Sequence, residues 1–498
     1  MATDNPVPYW NPAPGGVFTE DNNEKRQVAG KEQAIASSCQ PPAANLPLPP
    51  SNRVALVSLG CKVNQNELEA IKHLFLAAGY QVVPFPQEAD VYVVHTCTVT
   101  HISDRKSRQL IRRATRANPE AVVAVTGCYA QVAPAEVLAI PGVDVVVGTR
   151  DRHRLVELVT KARVGGVPVN AVRPHELGET FEELPLVEIS RTRAFLKIQE
   201  GCQEFCTYCI VPYARGPLRS REPQAILAEV RRLVAAGYLE IVLTGVHTGA
   251  YGRDLPGDSD LAGLLRQLVQ VPGLRRLRIS SIDPLDFTPE LKAVLVGEEV
   301  ICPHFHIPLQ SGDDVILQKM GRRYTGRYYQ ELIASLRSGR PRAAFTSDVM
   351  VGFPGETEEQ FQQTIAVLKA AALAGLHVFP FSPRRGTAAA AMSDQVSPEV
   401  KKERERRLLQ LGYYLARQYA RQFLNATREV LVERPRPGQP GFYEGHTDNY
   451  LTVAFPAADD LTGQLVRVRL LELQGGLISG RLEKNVTGEQ ENGFGKRK

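Results

Sequence analysis

Residues 191–217 read RTRAFLKIQEGCQEFCTYCIVPYARGP. Phe195–Gln199 is a strand candidate, and Cys202, Cys206 and Cys209 follow it directly with C-x3-C-x2-C spacing. One short loop with that spacing wraps three thiolates around a cuboidal iron–sulfur cluster. A structural zinc site would want a fourth ligand, usually Cys or His in a paired arrangement. Three protein ligands leave a fourth iron open, and an open iron binds a substrate directly where an electron carrier would close the site.

Working outward, five more strand candidates follow, separated by helical stretches: Ile241–Leu243, Leu277–Ser281, His304–Leu309, Thr346–Val351 and His377–Phe381. Six βα units predict a parallel, incomplete (β/α)6 barrel of the TIM type, with its active site at the C-terminal ends of the strands. The basic segment 398–424 reads as a long helix closing this unit. Upstream, Val54–Leu59, Asp90–His95, Ala121–Val125 and Val143–Val147 alternate with helical patterns, which predicts a parallel sheet covered on both faces. Cys61, Cys97 and Cys128 each lie just beyond one of those strands. The C-terminal ends of parallel strands share one edge, where open α/β folds bind ligands, so these distant cysteines can converge. The competing reading is three independent buried thiols. From Arg428 to about Leu482 short strands (Glu429–Val432, Leu451–Ala454, Leu465–Leu471, Leu477–Leu482), broken by Pro-Gly and Gly-Gly, predict a small antiparallel β-barrel.

The fold class is therefore α/β with that barrel appended. We divide the chain into a disordered extension (1–50, with nine prolines and the only tryptophan), an N-terminal domain (51–165), a central domain (188–426), the small barrel (427–484) and a tail (485–498). No apolar run of about 18 residues is present, so a spanning helix is excluded, and the start lacks a basic stretch followed by an apolar core. Eight cysteines are too few for a disulfide scaffold. A cytoplasmic, membrane-free protein is expected. The net charge is only +5, but residues 104–116 and 401–421 each carry a local +5, and 319–342 hold seven Lys/Arg against Glu331. Such stretches track a polyanion such as RNA, or are solvated helix faces.

The segment 191–217 resembles the core motif of radical S-adenosylmethionine enzymes, specifically the methylthiotransferases. LTGVHTGAYGRD (243–254), RISSIDP (278–284), HFHIPLQSG (304–312), DVMVGFPGET (348–357) and FPFSPRRGTAA (379–389) are similar to segments of the same family's barrel. Residues 53–150 resemble its N-terminal domain, and 428–482 its TRAM module, an RNA-binding β-barrel. Gly60-Cys61-Lys62-Val63-Asn64-Gln65 and Thr96-Cys97-Thr98-Val99-Thr100 look like the branch acting on N6-threonylcarbamoyladenosine in tRNA. The isopentenyladenosine branch more often reads Gly-Cys-Gln-Met-Asn.

The resemblance implies two [4Fe-4S] clusters, one on Cys61, Cys97 and Cys128 and one on Cys202, Cys206 and Cys209, with S-adenosylmethionine at the second. It implies transfer of a methylthio group to C2 of the modified adenosine at position 37, with S-adenosylmethionine as both methyl donor and radical source. It implies tRNA as partner, an electron donor such as flavodoxin or ferredoxin, and a sulfur donor that the sequence does not name. The alternatives are a sister-branch enzyme acting on isopentenyladenosine or a ribosomal protein, and a non-catalytic iron–sulfur RNA-binding redox sensor. Cys302 reads as a packed thiol, and Cys39 lies in the extension. His304 and His306 share one strand face, lumenal or core. Tyr443 and Tyr450 stack on bases or fill space. Residues 428–498 hold ten Lys/Arg and ten Asp/Glu, so phosphate contact is expected from Arg105–Arg116 and Lys401–Arg421.

Overall fold

Continuous β-branched runs flanked by helices produce the first sheet. A computed structural model describes residues 52–185 and 192–483; the extension, Cys39 and the tail lie outside them. The strands are β1 (Arg53–Ser58), β2 (Gln81–Val83), β3 (Val91–Thr96), β4 (Val122–Gly127), β5 (Val145–Val146) and β6 (Val169–Asn170), all parallel, in the order β2-β1-β3-β4-β5-β6. The central strands β3 and β4 are buried along their whole length. Alternate residues serve two cores. Ala55, Val57, Tyr92, Val94, Val123 and Val125 pack with Leu110 and Ile111 of α2 (His101–Ala117). Val54, Val91, Val93, Val122 and Ala124 pack with Ile71 and Phe75 of α1 (Lys62–Ala77). The short edge strands β2 and β6 escaped the sequence pattern because three- and two-residue strands carry no periodicity.

The central unit holds β7 (Arg193–Glu200), β8 (Arg219–Ser220), β9 (Glu240–Gly245), β10 (Arg276–Ile279), β11 (His304–His306), β12 (Ala344–Val351) and β13 (Gly375–Pro380). Apart from β8, which pairs antiparallel with β7, they run parallel in two sheets, β7-β9-β10 and β11-β12-β13, joined by a single parallel bridge from Leu277 of β10 to Ile301, just before β11. β7 and β13 do not pair, so the barrel stays open, as expected. Strand alternation sorts the side chains. Ala194, Leu196, Ile198, Ile241, Leu243, Leu277, Ile279, Phe305 and Phe345 join the core beneath the surrounding helices. Their alternates, including Arg193, Lys197, Glu240, Arg278, His304, His306, Asp348 and His377, occupy the opposite face of the strands.

The first unit closes the open side. Asn66 Nδ2 of α1 donates to Phe195 O at 2.6 Å. At the other margin Arg384 donates to Asp104 at 2.6 Å and to Thr98 at 2.7 Å.

The helix Pro398–Arg421 leads into β14 (Thr427–Pro435), β15 (Phe442–Thr447), β16 (Thr452–Pro456), β17 (Leu465–Gln474) and β18 (Leu477–Leu482), a closed barrel in the order β14-β15-β16-β18-β17. Closure uses one short parallel pairing, β16 with β18; the other pairs are antiparallel. This barrel meets the N-terminal ends of the central strands, where Arg276 donates to Glu429 O at 2.8 Å and Arg193 pairs with Glu433 at 3.0 Å. The cysteines lie at the other end. No helix among the described residues is long and apolar enough to cross a membrane.

Candidate active site

Each N-terminal cysteine follows a strand: Cys61 caps α1 after β1, Cys97 follows β3, and Cys128 opens the short helix Cys128–Val132 after β4. Their convergence needs a close backbone approach. Gly60 has φ +125°, and a Cβ there would come within 3.1 Å of Cys97 Cβ and 2.6 Å of Asn64 Nδ2. Ser107 of α2 clamps the second loop, accepting from Cys97 N at 3.3 Å and donating to Cys97 O at 3.1 Å. Burial pushes the Cys128 thiol up to about 12, and the nearby Cys97 and Cys61 push it the same way. Three thiols are thus gathered at one sheet edge.

In the central unit Cys209 N donates to Cys206 O at 2.9 Å, and Phe205, at φ 43°, turns the loop between the first two cysteines. Cys202 N is held by Gly216 O at 3.0 Å. Burial raises the Cys209 thiol to about 12, with Cys206 and Cys202 adding to the effect. Cationic partners face both triplets. Arg322 donates to Cys206 Sγ at 3.3 Å, and His247 Nδ1 lies 3.8 Å from Cys202 Sγ. Burial opposes the charged imidazole, but hydrogen bonds to Asp286 at 2.8 Å and to Cys202 raise His247 to about 10.

Arg215 joins the two triplets. It closes the helix Val211–Arg215, which follows Cys209, and its Nε donates to Cys128 Sγ at 3.1 Å. Its remaining donors reach Asn64 at 2.6 Å, Glu67 at 2.7 Å and Glu200 at 2.6 Å. Lys197 links the same two carboxylates at 2.8 and 2.6 Å, Arg152 pairs with both, and His95 contacts Glu67 at 3.0 Å. Although burial opposes it, Arg152, Arg215 and Lys197 hold Glu67 well below the usual carboxylate range. The sequence alone does not single out Arg215, Lys197, Glu200, Glu67 or Arg152. Charged residues sealed between two domains look like surface residues until the docking is known.

The donor sets, three thiols each with an arginine donating to one sulfur of the set, suit a thiolate-bound iron–sulfur cluster. Among the described residues, His306, Asp348 and His377 bring three ligating atoms within 4.8 Å of one another. Those three residues form a hydrogen-bonded array in the lumen, with Asp348 accepting from His377 at 2.8 Å and from His306 at 3.2 Å. Cys302 is a buried thiol apart from both triplets. Glu356 accepts from Gly352 N at 2.6 Å and from Arg404 at 2.7 Å, a turn-fixing role. Tyr450 lies between the rings of His304 and His446, 4.8 Å from each, and is not offered to bases.

Residues 53–148 match the uncharacterized protein family UPF0004, and residues 196–368 match the radical SAM superfamily. The chain is 48% identical to threonylcarbamoyladenosine tRNA methylthiotransferase MtaB of Bacillus subtilis, covering 84% of this chain and 94% of that protein. The chain belongs to the radical S-adenosylmethionine methylthiotransferase family. The MtaB of Aquifex aeolicus is 38% identical over 84% of this chain and 99% of its own length. Equally similar is the tRNA-2-methylthio-N(6)-dimethylallyladenosine synthase of Moorella thermoacetica, 38% identical over 86% of this chain and 97% of its length. The fold of this methylthiotransferase is also like that of the radical S-adenosylmethionine methyltransferase TsrM from Kitasatospora setae, with a TM-score of 0.50 at 18% identity over 68% of this chain and 74% of that one.

Proposed function

We propose that the protein transfers a methylthio group to C2 of N6-threonylcarbamoyladenosine at position 37 of tRNA, acting in the cytoplasm. The observation that carries this reading is the pair of thiol triplets at facing strand ends, joined by Arg215, in a chain 48% identical to an MtaB. Cys61, Cys97 and Cys128 would hold one [4Fe-4S] cluster, and Cys202, Cys206 and Cys209 the other together with S-adenosylmethionine. When bound, these groups supply the sulfur to be transferred and the electron that cleaves the sulfonium to a 5′-deoxyadenosyl radical. The chain's own share is positioning and charge. Arg215 and Arg322 offset thiolate charge at Cys128 and Cys206. Burial of Cys97, Cys128 and Cys206 keeps water from the reacting centre. The division into domains 51–165, 188–426 and 427–484 then separates sulfur supply from radical generation, with RNA contact shared by the small barrel and the basic helices. A flavodoxin- or ferredoxin-like reductant completes the system.

The RNA track favours α2. Arg105, Arg112, Arg113 and Arg116 are exposed, whereas on the helix Pro398–Arg421 Arg404, Arg406 and Arg407 already pair with Glu356, Glu403 and Glu358. Mass spectrometry of tRNA nucleosides from a strain lacking the protein tests the function. Loss of the methylthio derivative of threonylcarbamoyladenosine is expected. An unchanged profile, or loss of the isopentenyl counterpart instead, rejects the reading.

A further inference from the structure

The lumen of the open barrel carries a charge imbalance that the thiol triplets do not use. Most lumenal cations have an acid of their own. Arg193 pairs with Glu433 at 3.0 Å, Arg278 with Glu240 at 2.7 Å, and His306 and His377 share Asp348. Lys62 differs. It opens α1, and Asn66, four residues on, lies on the same helix face and contacts Phe195 O of β7. That face closes the open side of the barrel, so the Lys62 side chain reaches the neighbourhood of Tyr450, Arg193, Arg278, His304 and His377, all of which feel its charge or bear on it. Among the described residues Lys62 makes no ion pair. The acidic groups that bear on it are committed elsewhere: Glu240 to Arg278, and the Tyr450 hydroxyl to Arg193 at 3.1 Å.

Lys62 is half-buried, and a partly desolvated ammonium short of a counter-ion is stabilised by an anion brought from outside. The threonylcarbamoyl substituent brings one, because it ends in a carboxylate, whereas an isopentenyl group is wholly apolar. Lys62 is also the residue after Cys61, so its ammonium lies within one lysine's reach of the proposed sulfur-holding site. Building on the function proposed above, we infer that Lys62 pairs with the carboxylate of the threonylcarbamoyl group and thereby selects that base. Lys62 is a specificity-determining residue, and the imidazole-bearing wall formed by His304, His306 and His377 is the polar surround of the same pocket.

The test uses the full-length, cluster-reconstituted protein and anticodon stem-loop RNAs carrying the threonylcarbamoyl base as the free acid or as its methyl ester. The wild type is expected to prefer the acid in kcat/KM by roughly tenfold to a hundredfold, the worth of one charge-assisted hydrogen bond. In Lys62→Gln that ratio falls to about one, through KM more than kcat, and Lys62→Arg restores most of it. Iron content and the electron paramagnetic resonance of the reduced clusters are recorded for each variant, so a damaged Cys61 loop is recognised as such. If Lys62→Gln loses iron, the wild-type ratio and Lys62→Arg still decide. Equal use of acid and ester by the wild type overturns the inference, as does an undiminished preference in iron-replete Lys62→Gln; the proposed function survives both. A wild type that ignores both RNAs and modifies an isopentenyladenosine stem-loop overturns that function itself.

Discussion

Cys202, Cys206 and Cys209 fall within one loop, whereas Cys61, Cys97 and Cys128 are collected from three strand ends 36 and 31 residues apart. The loop triplet needs only its own backbone turn and two backbone anchors, Gly216 O accepting from Cys202 N and Met320 O accepting from Thr207 N, each at 3.0 Å. The dispersed triplet exists only when β1, β3 and β4 pair in register, because a one-residue slip would turn each strand's side chains to the other face. Their surroundings differ in kind as well. His247 approaches the loop triplet from the end of β9 and Arg322 from the turn after the helix Asp314–Lys319, both within the central unit. Arg215 approaches the dispersed triplet from another domain and is held there by Glu67 and Glu200. Local chemistry is thus encoded locally, and the second site is a property of the docked whole.

The largest effects separate the two triplets outright. Cys206→Ala should lose about half of the bound iron and all 5′-deoxyadenosine formation, since no radical source remains. Cys97→Ala should lose the other half and all methylthio transfer while 5′-deoxyadenosine still forms. Iron analysis with chromatography of the nucleoside products checks both. Should Cys206→Ala still release 5′-deoxyadenosine, the roles of the two triplets are wrongly assigned.

Arg215 ranks next. Arg215→Ala leaves Glu67 and Glu200 sealed between the domains with one cation fewer, and breaking a buried ion pair in this way costs about 3–5 kcal/mol. The thermal midpoint should fall, and iron should be lost selectively from the dispersed triplet. Equal loss from both triplets would show that Arg215 acts only through global stability.

This asymmetry explains what could be read in advance. The six barrel strands, the parallel N-terminal sheet and all six strand-end cysteines were legible because each rests on a local signal: a β-branched run, a helical period or a fixed spacing. Strand β15 was not, since Phe442–Thr447 (FYEGHT) lacks apolar alternation and owes its place to pairing with β14 and β16. Glu67 and Arg152 were equally silent. On a helix or in a turn either residue looks solvated, and only the meeting of two domains buries both completely. Tyr450 was open between base stacking and space filling, because an aromatic in a short strand-rich barrel suits either, and its stack on His304 decides for the second.

Gly60 sharpens the comparison at smaller scale. Gly60→Ala forces a Cβ against Cys97 and Asn64 at a backbone angle that side chains rarely adopt, a strain of about 1–3 kcal/mol. Its effect should be confined to the dispersed triplet: a lower melting temperature and a diminished second set of iron signals, with 5′-deoxyadenosine production persisting. Unchanged iron and stability would mean that the β1 and β3 loops approach less closely than described.

The smallest effect concerns which basic surface the RNA follows, and it returns to the dispersed triplet. α2 faces two ways. Its Ser107 holds the Cys97 loop and its Asp104 binds Thr98 and Arg384, while Arg105, Arg112 and Arg116 point to solvent without an ion pair among the described residues. On the helix Pro398–Arg421, Arg406 and Arg407 spend their charge on Glu403 and Glu358. Each phosphate contact contributes roughly one unit to the dependence of log K on log salt. Arg112→Ala and Arg116→Ala should therefore each flatten that slope by about one and weaken tRNA binding by less than about 1 kcal/mol at moderate salt, with no preference among tRNA sequences. Arg406→Ala should leave the slope as it was, because removing an arginine already neutralised by the chain releases few additional counter-ions. The reverse pattern, a slope sensitive to Arg406 and indifferent to Arg112, would move the RNA track off the helix that carries the sulfur-holding loop and onto the one that leads into the small barrel.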